Sequence, residues 1–219
     1  GSLTGIDAAR YRPDAEARRA VRASWGVADD AVLFLQLGRI TLDKGPLDLA
    51  EAFARVAPRA PRARLAFVGP DEESMAARVT AAAGTAAAAV RVHAEFTTEP
   101  ERFIAAADVL CLPSYREGFG SVLLEAAVMG LPTLASRIYG ISDAVVDGVT
   151  GLLHAPRDVG EIAEALERLA LDADLRARLG AAGQARALAD FTEARIAEAL
   201  LEFYAARLGT GLPHASLPR

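Results

Sequence analysis

The chain has 219 residues, 52% of them hydrophobic, with a formal charge of −5 and a single cysteine, Cys111. That length holds one α/β domain or two small ones, and the apolar share supports a buried core and argues against disorder. The acidic balance leaves no whole-chain basic footprint for nucleic acid, and one cysteine excludes an internal disulfide and fits a reducing compartment.

In chain order, short apolar runs alternate with helical patterns. Val32–Leu37 reads as a strand and Pro46–Val56 as a helix, with Leu47, Leu49, Ala50, Phe53 and Val56 at helical spacing. Arg64–Val68 is a strand closed by Gly69-Pro70, and Asp71 is placed to cap a helix running to about Ala83. Val90–His93 reads as a strand, Pro100–Ala107 as a helix, Val109–Leu112 as a strand and Gly120–Met129 as a helix. Pro132–Ala135 is a strand, Ser142–Val146 a short helix and Gly151–His154 a last strand. From Asp158 the pattern is wholly helical, over 158–170, 172–188 and 191–208, and the tail from Gly209, with Pro213 and Pro218, is expected to fray. The Ala-rich stretch Ala81–Ala89 is composition bias rather than a repeat. The spacing predicts parallel βαβ units with right-handed crossovers: an α/β fold, a Rossmann-like parallel sheet with helices on both faces. The longest apolar stretches, Ala86–Val90 and Phe103–Leu112, are too short or broken by Asp108, so no membrane span is expected. The start, Gly1-Ser2-Leu3-Thr4-Gly5, has neither an initiator Met nor a basic-then-apolar leader pattern, and the chain is expected to be a fragment.

Open parallel sheets bind ligands beyond the carboxyl ends of their strands, which directs attention to the loops beginning at Gly38, Gly69, His93, Pro113 and Arg137. The first reads Gly38-Arg39-Ile40-Thr41-Leu42-Asp43-Lys44-Gly45. Arg39 and Lys44, near a helix N-terminus that already carries partial positive charge, suit a phosphate; two surface cations, one paired with Asp43, is the plain alternative. The Walker A spacing and Gly-x-Gly-x-x-Gly are both missing, which weakens P-loop and nicotinamide-dinucleotide readings. The loop after the fourth strand is Ser114-Tyr115-Arg116-Glu117-Gly118-Phe119-Gly120-Ser121-Val122-Leu123-Leu124-Glu125. Its glycines allow backbone N–H groups to approach a ligand. Glu125 is the only charged residue between Glu117 and Arg137, on an otherwise apolar helix where an unpartnered carboxylate is costly. It lies about 7.5 Å along the axis from Gly120, so the two acids can reach different parts of one extended ligand, such as vicinal sugar hydroxyls. The alternatives are a semi-exposed acid for Glu125 and a solvated loop acid paired with Arg116 for Glu117.

Glu117 and Glu125 form a Glu-x7-Glu signature. With Gly38-Arg39…Lys44-Gly45, Val68-Gly69-Pro70, Ala105–Ser114, Val145–Leu153 and Thr4-Gly5-Ile6-Asp7…Tyr11-Arg12-Pro13, the chain resembles the retaining glycosyltransferases of family 4, which have the two-domain GT-B fold. Tyr115-Arg116-Glu117 and Ser136-Arg137-Ile138-Tyr139-Gly140 are similar to transferases of bacterial surface-glycan assembly. The resemblance implies an interdomain segment at 1–13, a Rossmann-like nucleotide-sugar-binding domain at 14–157, completing helices at 158–208 and a tail at 209–219. It implies that Arg39 and Lys44 neutralise a diphosphate, that Glu117 contacts the donor sugar beside the amides of Gly118, Phe119 and Gly120, that the Ser121 and Val122 amides face phosphate, and that Glu125 holds ribose hydroxyls. The base, by the same resemblance, lies near His93–Thr97, including Phe96 and Thr97, behind Gly69-Pro70, and Gly38 is a further substrate-binding residue. Glu95 and His93 depart from the usual pattern, and His93 is read as a packed or exposed side chain rather than a catalyst. His154 and His214 show no ligand partners, and with no Asp-x-Asp motif or His/Cys cluster no metal or other cofactor is expected. The implied substrate is a nucleoside diphosphate sugar, most simply a UDP sugar. The implied partners are a missing N-terminal acceptor domain and a lipid-linked or glycan acceptor, and the implied location is the cytoplasm, peripheral at the inner membrane face for the full-length enzyme. A non-catalytic nucleotide-sugar-binding module is the alternative.

Overall fold

The computed structural model describes residues 5–208; the expectations for the tail and for His214 lie outside the described residues. Six strands form one parallel sheet: β1 (Val32–Leu37), β2 (Ala63–Val68), β3 (Val90–His93), β4 (Val109–Leu112), β5 (Thr133–Ser136) and β6 (Gly151–His154), in the order β3-β2-β1-β4-β5-β6. Every residue of β1 is buried, as a strand covered on both faces must be. Its side chains alternate, Val32 and Phe34 into one core and Leu33, Leu35 and Leu37 into the other.

The first core is closed by α2 (Pro46–Val56), α3 (Met75–Ala82) and α6 (Val159–Leu171), through Leu49, Phe53, Met75, Val79, Ile162 and Leu166. The second is closed by α1 (Ala15–Trp25), α4 (Pro100–Ala106) and α5 (Ser121–Val128), with α7 (Ala173–Asp190) packed on α5. Helix α8 (Glu193–Leu208) packs on α7 and leaves Leu201, Phe203 and Tyr204 exposed. Two aspartates start the terminal helices as N-caps: Asp158 accepts from the Glu161 amide at 2.9 Å and Asp172 from the Leu175 amide at 2.8 Å.

Three elements differ from the sequence reading. Helix α1 has no counterpart in it; Asp14 caps it, accepting from the Glu16 and Ala17 amides, and Ala17 and Val21 form its buried stripe. Helix α3 begins at Met75 rather than just after Asp71, although the Asp71 carboxylate does accept from the Met75 and Ala76 amides at 2.6 and 2.9 Å. Ser142–Val146 forms turns, not a helix. So short a segment cannot repay helix nucleation, and the Val146 amide bonds the Thr150 hydroxyl at 2.8 Å.

The strand order reverses between β1 and β4, which are hydrogen-bonded neighbours. Connections leaving such a pair run to opposite faces and open a crevice at the carboxyl edge. The loops that flank it are those after β1 and after β4.

Candidate functional site

At this crevice the two loops meet in backbone contact. Gly45, at φ +67, lies so close to Pro113 that a Cβ there would stand 2.2 Å from the Pro113 carbonyl oxygen; only glycine fits. On the neighbouring side Gly69 lies as tightly against the Gly38 carbonyl, which brings the ends of β1 and β2 together.

The side chains above these contacts form an ion pair. Lys44 Nζ donates to Glu117 Oε1 at 2.6 Å, and the Ser114 hydroxyl donates to the same oxygen at 2.8 Å. Lys44 and Glu117 are 17% and 12% exposed, shielded but open to the crevice. Glu117 therefore pairs with Lys44, not with Arg116. An ammonium has three donors, so Lys44 keeps capacity for a second anion. Arg39 does not pair with Asp43: its guanidinium meets Glu72 at 3.1 Å in solvent, and the bond to that carboxylate holds its pKa above the usual arginine value. Asp43 instead accepts from the Thr41 hydroxyl at 2.6 Å, which keeps its carboxyl below the ordinary range.

Arg39, Lys44, Glu117, Phe119, Ser121 and Val122 line a cleft of about 460 Å³ together with Gly38 and Gly120. Helix α5 opens on its floor. Gly120, at φ +63, sits at the N-cap position with no side chain capping the terminus, so the amides at the start of α5 are oriented as anion donors. A second cleft of about 280 Å³ shares Leu37, Gly38, Arg39 and Val122 with the first and continues past Gly69 and Pro70 to Phe96, Thr97 and Glu125. Phe96 is 77% exposed. The sequence-derived residues thus gather along one bent trough, with one exception: Gly118 is not part of its wall, its carbonyl facing Gly140 instead.

Glu125 is half-buried in that trough, and burial raises its pKa above the ordinary glutamate value, with Tyr11 and Ser121 working against the shift. Tyr11 belongs to the segment read from sequence as a connector. Its hydroxyl is pushed well above the usual tyrosine range by burial first and by Glu125 next. Sequence reasoning placed Tyr11 only in the connector motif and assigned it no part in the site. It also missed Gln36, the one polar residue in an apolar strand, whose amide donates to the Lys44 carbonyl at 3.2 Å while its own oxygen has no partner among the described residues. Of the histidines, His93 packs against Phe103 with ring centroids 5.3 Å apart. His154 is buried, and burial holds it below the usual histidine value.

The sheet order, the glycine-lined crevice and the helices around them define the C-terminal domain of GT-B glycosyltransferases. The lipopolysaccharide-biosynthesis glycosyltransferase WaaG superposes with a TM-score of 0.76 at 26% identity over 95% of this chain and 55% of that one. Anabaena Alr3699/HepE in complex with UDP gives a TM-score of 0.83 at 23% identity over 92% of this chain and 56% of that one. The chain belongs to the family of glycosyl transferases group 1, whose sequence model matches residues 17–186. It is also 40% identical over 212 residues to a D-inositol 3-phosphate glycosyltransferase of Nocardia farcinica, a match covering 93% of this chain and 46% of that protein. The chain thus spans about half the length of that curated relative.

Proposed function

We propose that this chain is the donor-nucleotide-binding half of a retaining glycosyltransferase that moves a hexosyl or N-acetylhexosaminyl unit from a UDP sugar to a glycan or lipid-linked acceptor. The observation that carries the reading is the single trough at the β1–β4 crevice, with cations and an open helix N-terminus at one end and a half-buried carboxylate beside an exposed aromatic ring at the other. That polarity matches a nucleoside diphosphate sugar. Arg39, Lys44 and the Ser121 and Val122 amides take the diphosphate; Glu125 accepts from ribose hydroxyls; Phe96 and Thr97 flank the base; Glu117, with the Phe119 and Gly120 backbone, lies toward the sugar. In this reading Lys44 and Arg39, rather than a metal ion, meet the charge that develops on the departing diphosphate. UDP held by the same fold in HepE supports the choice of base, and the likeness to WaaG supports a glycan acceptor. The similarity to D-inositol 3-phosphate glycosyltransferases favours a second reading of the acceptor, an inositol phosphate.

The acceptor is assigned to a further domain, because transfer needs a hydroxyl held against the anomeric carbon and positioning supplies much of the rate. Among the described residues no helix is long and apolar enough to cross a membrane; the proposed location is the cytoplasm, at the inner membrane face where a lipid-linked acceptor would be met. The test is calorimetric titration of the chain with UDP, GDP and ADP, followed by incubation with the tightest-binding nucleotide sugar and candidate acceptors. UDP is expected to bind most tightly, with no transfer by this chain alone. Tighter GDP binding overturns the base assignment, no binding by any nucleotide overturns the donor reading, and rapid glycoside formation overturns the division of labour.

A further inference from the structure

Tyr115 lies two residues before Glu117 but is not among the side chains lining the cleft. Its contacts run to the other loop of the crevice. The Tyr115 amide donates to the Asp43 carbonyl at 2.8 Å, and its hydroxyl donates to Asp48 Oδ2 at 2.9 Å in the first turn of α2. With the Gly45–Pro113 backbone contact, these tie the loop of Lys44 to the loop of Glu117 at three points. Burial and the bond to Asp48 push the Tyr115 hydroxyl up to about 12, so it remains a proton donor at any working pH.

The outer face of the Tyr115 ring is covered from a third loop. The Arg157 guanidinium, just after β6, lies 4.3 Å from the ring centroid, the geometry of a cation–π contact. Arg157 reaches it from a left-handed backbone conformation, φ +66, which a long side chain adopts only at a cost in backbone energy. Asp158 beside it caps α6, so the chain must turn within a fixed space there. Glycine would make that turn without strain, yet the position holds an arginine whose guanidinium lies over Tyr115.

We propose that Tyr115, bonded to Asp48 and covered by Arg157, is a positioning residue that fixes Lys44 against Glu117 across the crevice. This rests on the reading of that crevice as the diphosphate end of a nucleotide-sugar site. Without the brace, the long Lys44 side chain samples more rotamers and loses affinity for an anion through the entropy of re-ordering.

The test uses the whole chain and two readouts. Arg157→Gly is expected to leave the unfolding midpoint unchanged or higher, because strain relief offsets the lost contact, and to weaken UDP binding about three- to tenfold. Tyr115→Phe, which keeps the ring but drops the bond to Asp48, is expected to weaken UDP binding in the same direction. In a Lys44→Ala background Arg157→Gly is expected to change UDP affinity no further, since the brace acts through Lys44. A lower midpoint with unchanged affinity per folded molecule, or a full Arg157→Gly effect without Lys44, overturns the proposal. If the unmodified chain binds no UDP, the donor reading fails and the brace is judged by a Lys44/Glu117 double-mutant cycle on denaturant unfolding. Its coupling is expected to be lost in the Arg157→Gly background, and a coupling that persists there overturns the brace.

Discussion

The two edges of the sheet use the same chemistry to different ends. At the amino edge Asp108 pairs with Arg18 at 2.7 Å and Arg22 at 3.2 Å and accepts from the Leu33 amide at 2.7 Å. Arg22, 1% exposed, also donates to the carbonyls of Ala28 and Ala31. Arg18 and Arg22 divide their donors between Asp108 and main-chain carbonyls, the Arg22 Nε having no partner among the described residues, and the cluster bolts α1 to the sheet. At the carboxyl edge Lys44 and Glu117 meet at 2.6 Å, but the lysine has donors to spare and the pair borders an open cleft. An ion pair sealed by backbone groups holds a fold; one with unused donors over a cavity is ready to exchange partners with a ligand.

The largest expected effect breaks the sealed edge. Asp108→Ala should lower unfolding stability by about 3 kcal/mol, because Arg22 is left buried without its counter-charge. Urea unfolding measures the loss, and the folded fraction should bind UDP as before. A stability change within about 0.5 kcal/mol would show that the cluster does not hold α1 to the sheet.

Next comes the open edge. Lys44→Ala should weaken UDP binding by about 1.5–3 kcal/mol while leaving uridine nearly unaffected, since in the proposed donor site the lost charge-assisted bond goes to the diphosphate. Arg39→Ala should act in the same direction but less, its guanidinium being solvated and already paired with Glu72. Calorimetry with the two ligands separates the cases, and equal losses for uridine and UDP would move these cations away from the phosphates.

Glu125 sharpens the comparison from a third position. Burial raises its folded-state pKa above the ordinary glutamate value, so just above that value the folded chain binds a proton the unfolded chain has released. Stability is therefore lost as pH rises through the folded pKa. Glu125→Gln has no such loss: its unfolding midpoint should exceed that of the unmodified chain at pH 7–8, by a margin that shrinks toward pH 4, while uridine binds more weakly. A lower midpoint with unchanged affinity per folded molecule would make Glu125 a structural acid. The smallest effect expected is none at all: a chelator should leave UDP affinity unchanged, and a loss beyond about tenfold would assign part of the phosphate charge to a metal.

Much of the fold is local and was legible. The strand Val32–Leu37, the helix Pro46–Val56 and the strand Gly151–His154 have the same bounds in the structure as in the hydrophobic pattern. The pattern failed where local signals are weak. Helix α1 carries three arginines, and its buried face has only Ala17 and Val21 as apolar residues beside Arg22; it is held by long-range bonds from Arg18 and Arg22 to Asp108. Ser142–Val146, read as a short helix, is rich in weak helix formers, and its Val146 amide goes to the Thr150 hydroxyl.

The sequence by itself determined the alternation of strands and helices, and with it the parallel sheet, because periodicity and turn chemistry act over a few residues. It also determined which loops are rich in glycine, cations and acids. Only the tertiary structure decided that β1 lies beside β4, that Lys44 meets Glu117 from 73 residues away, and that Arg39 turns to Glu72. Each of these is a contact between segments brought together by the packing of two cores on one sheet, and the energy that fixes such a pairing comes from those cores rather than from the residues that meet.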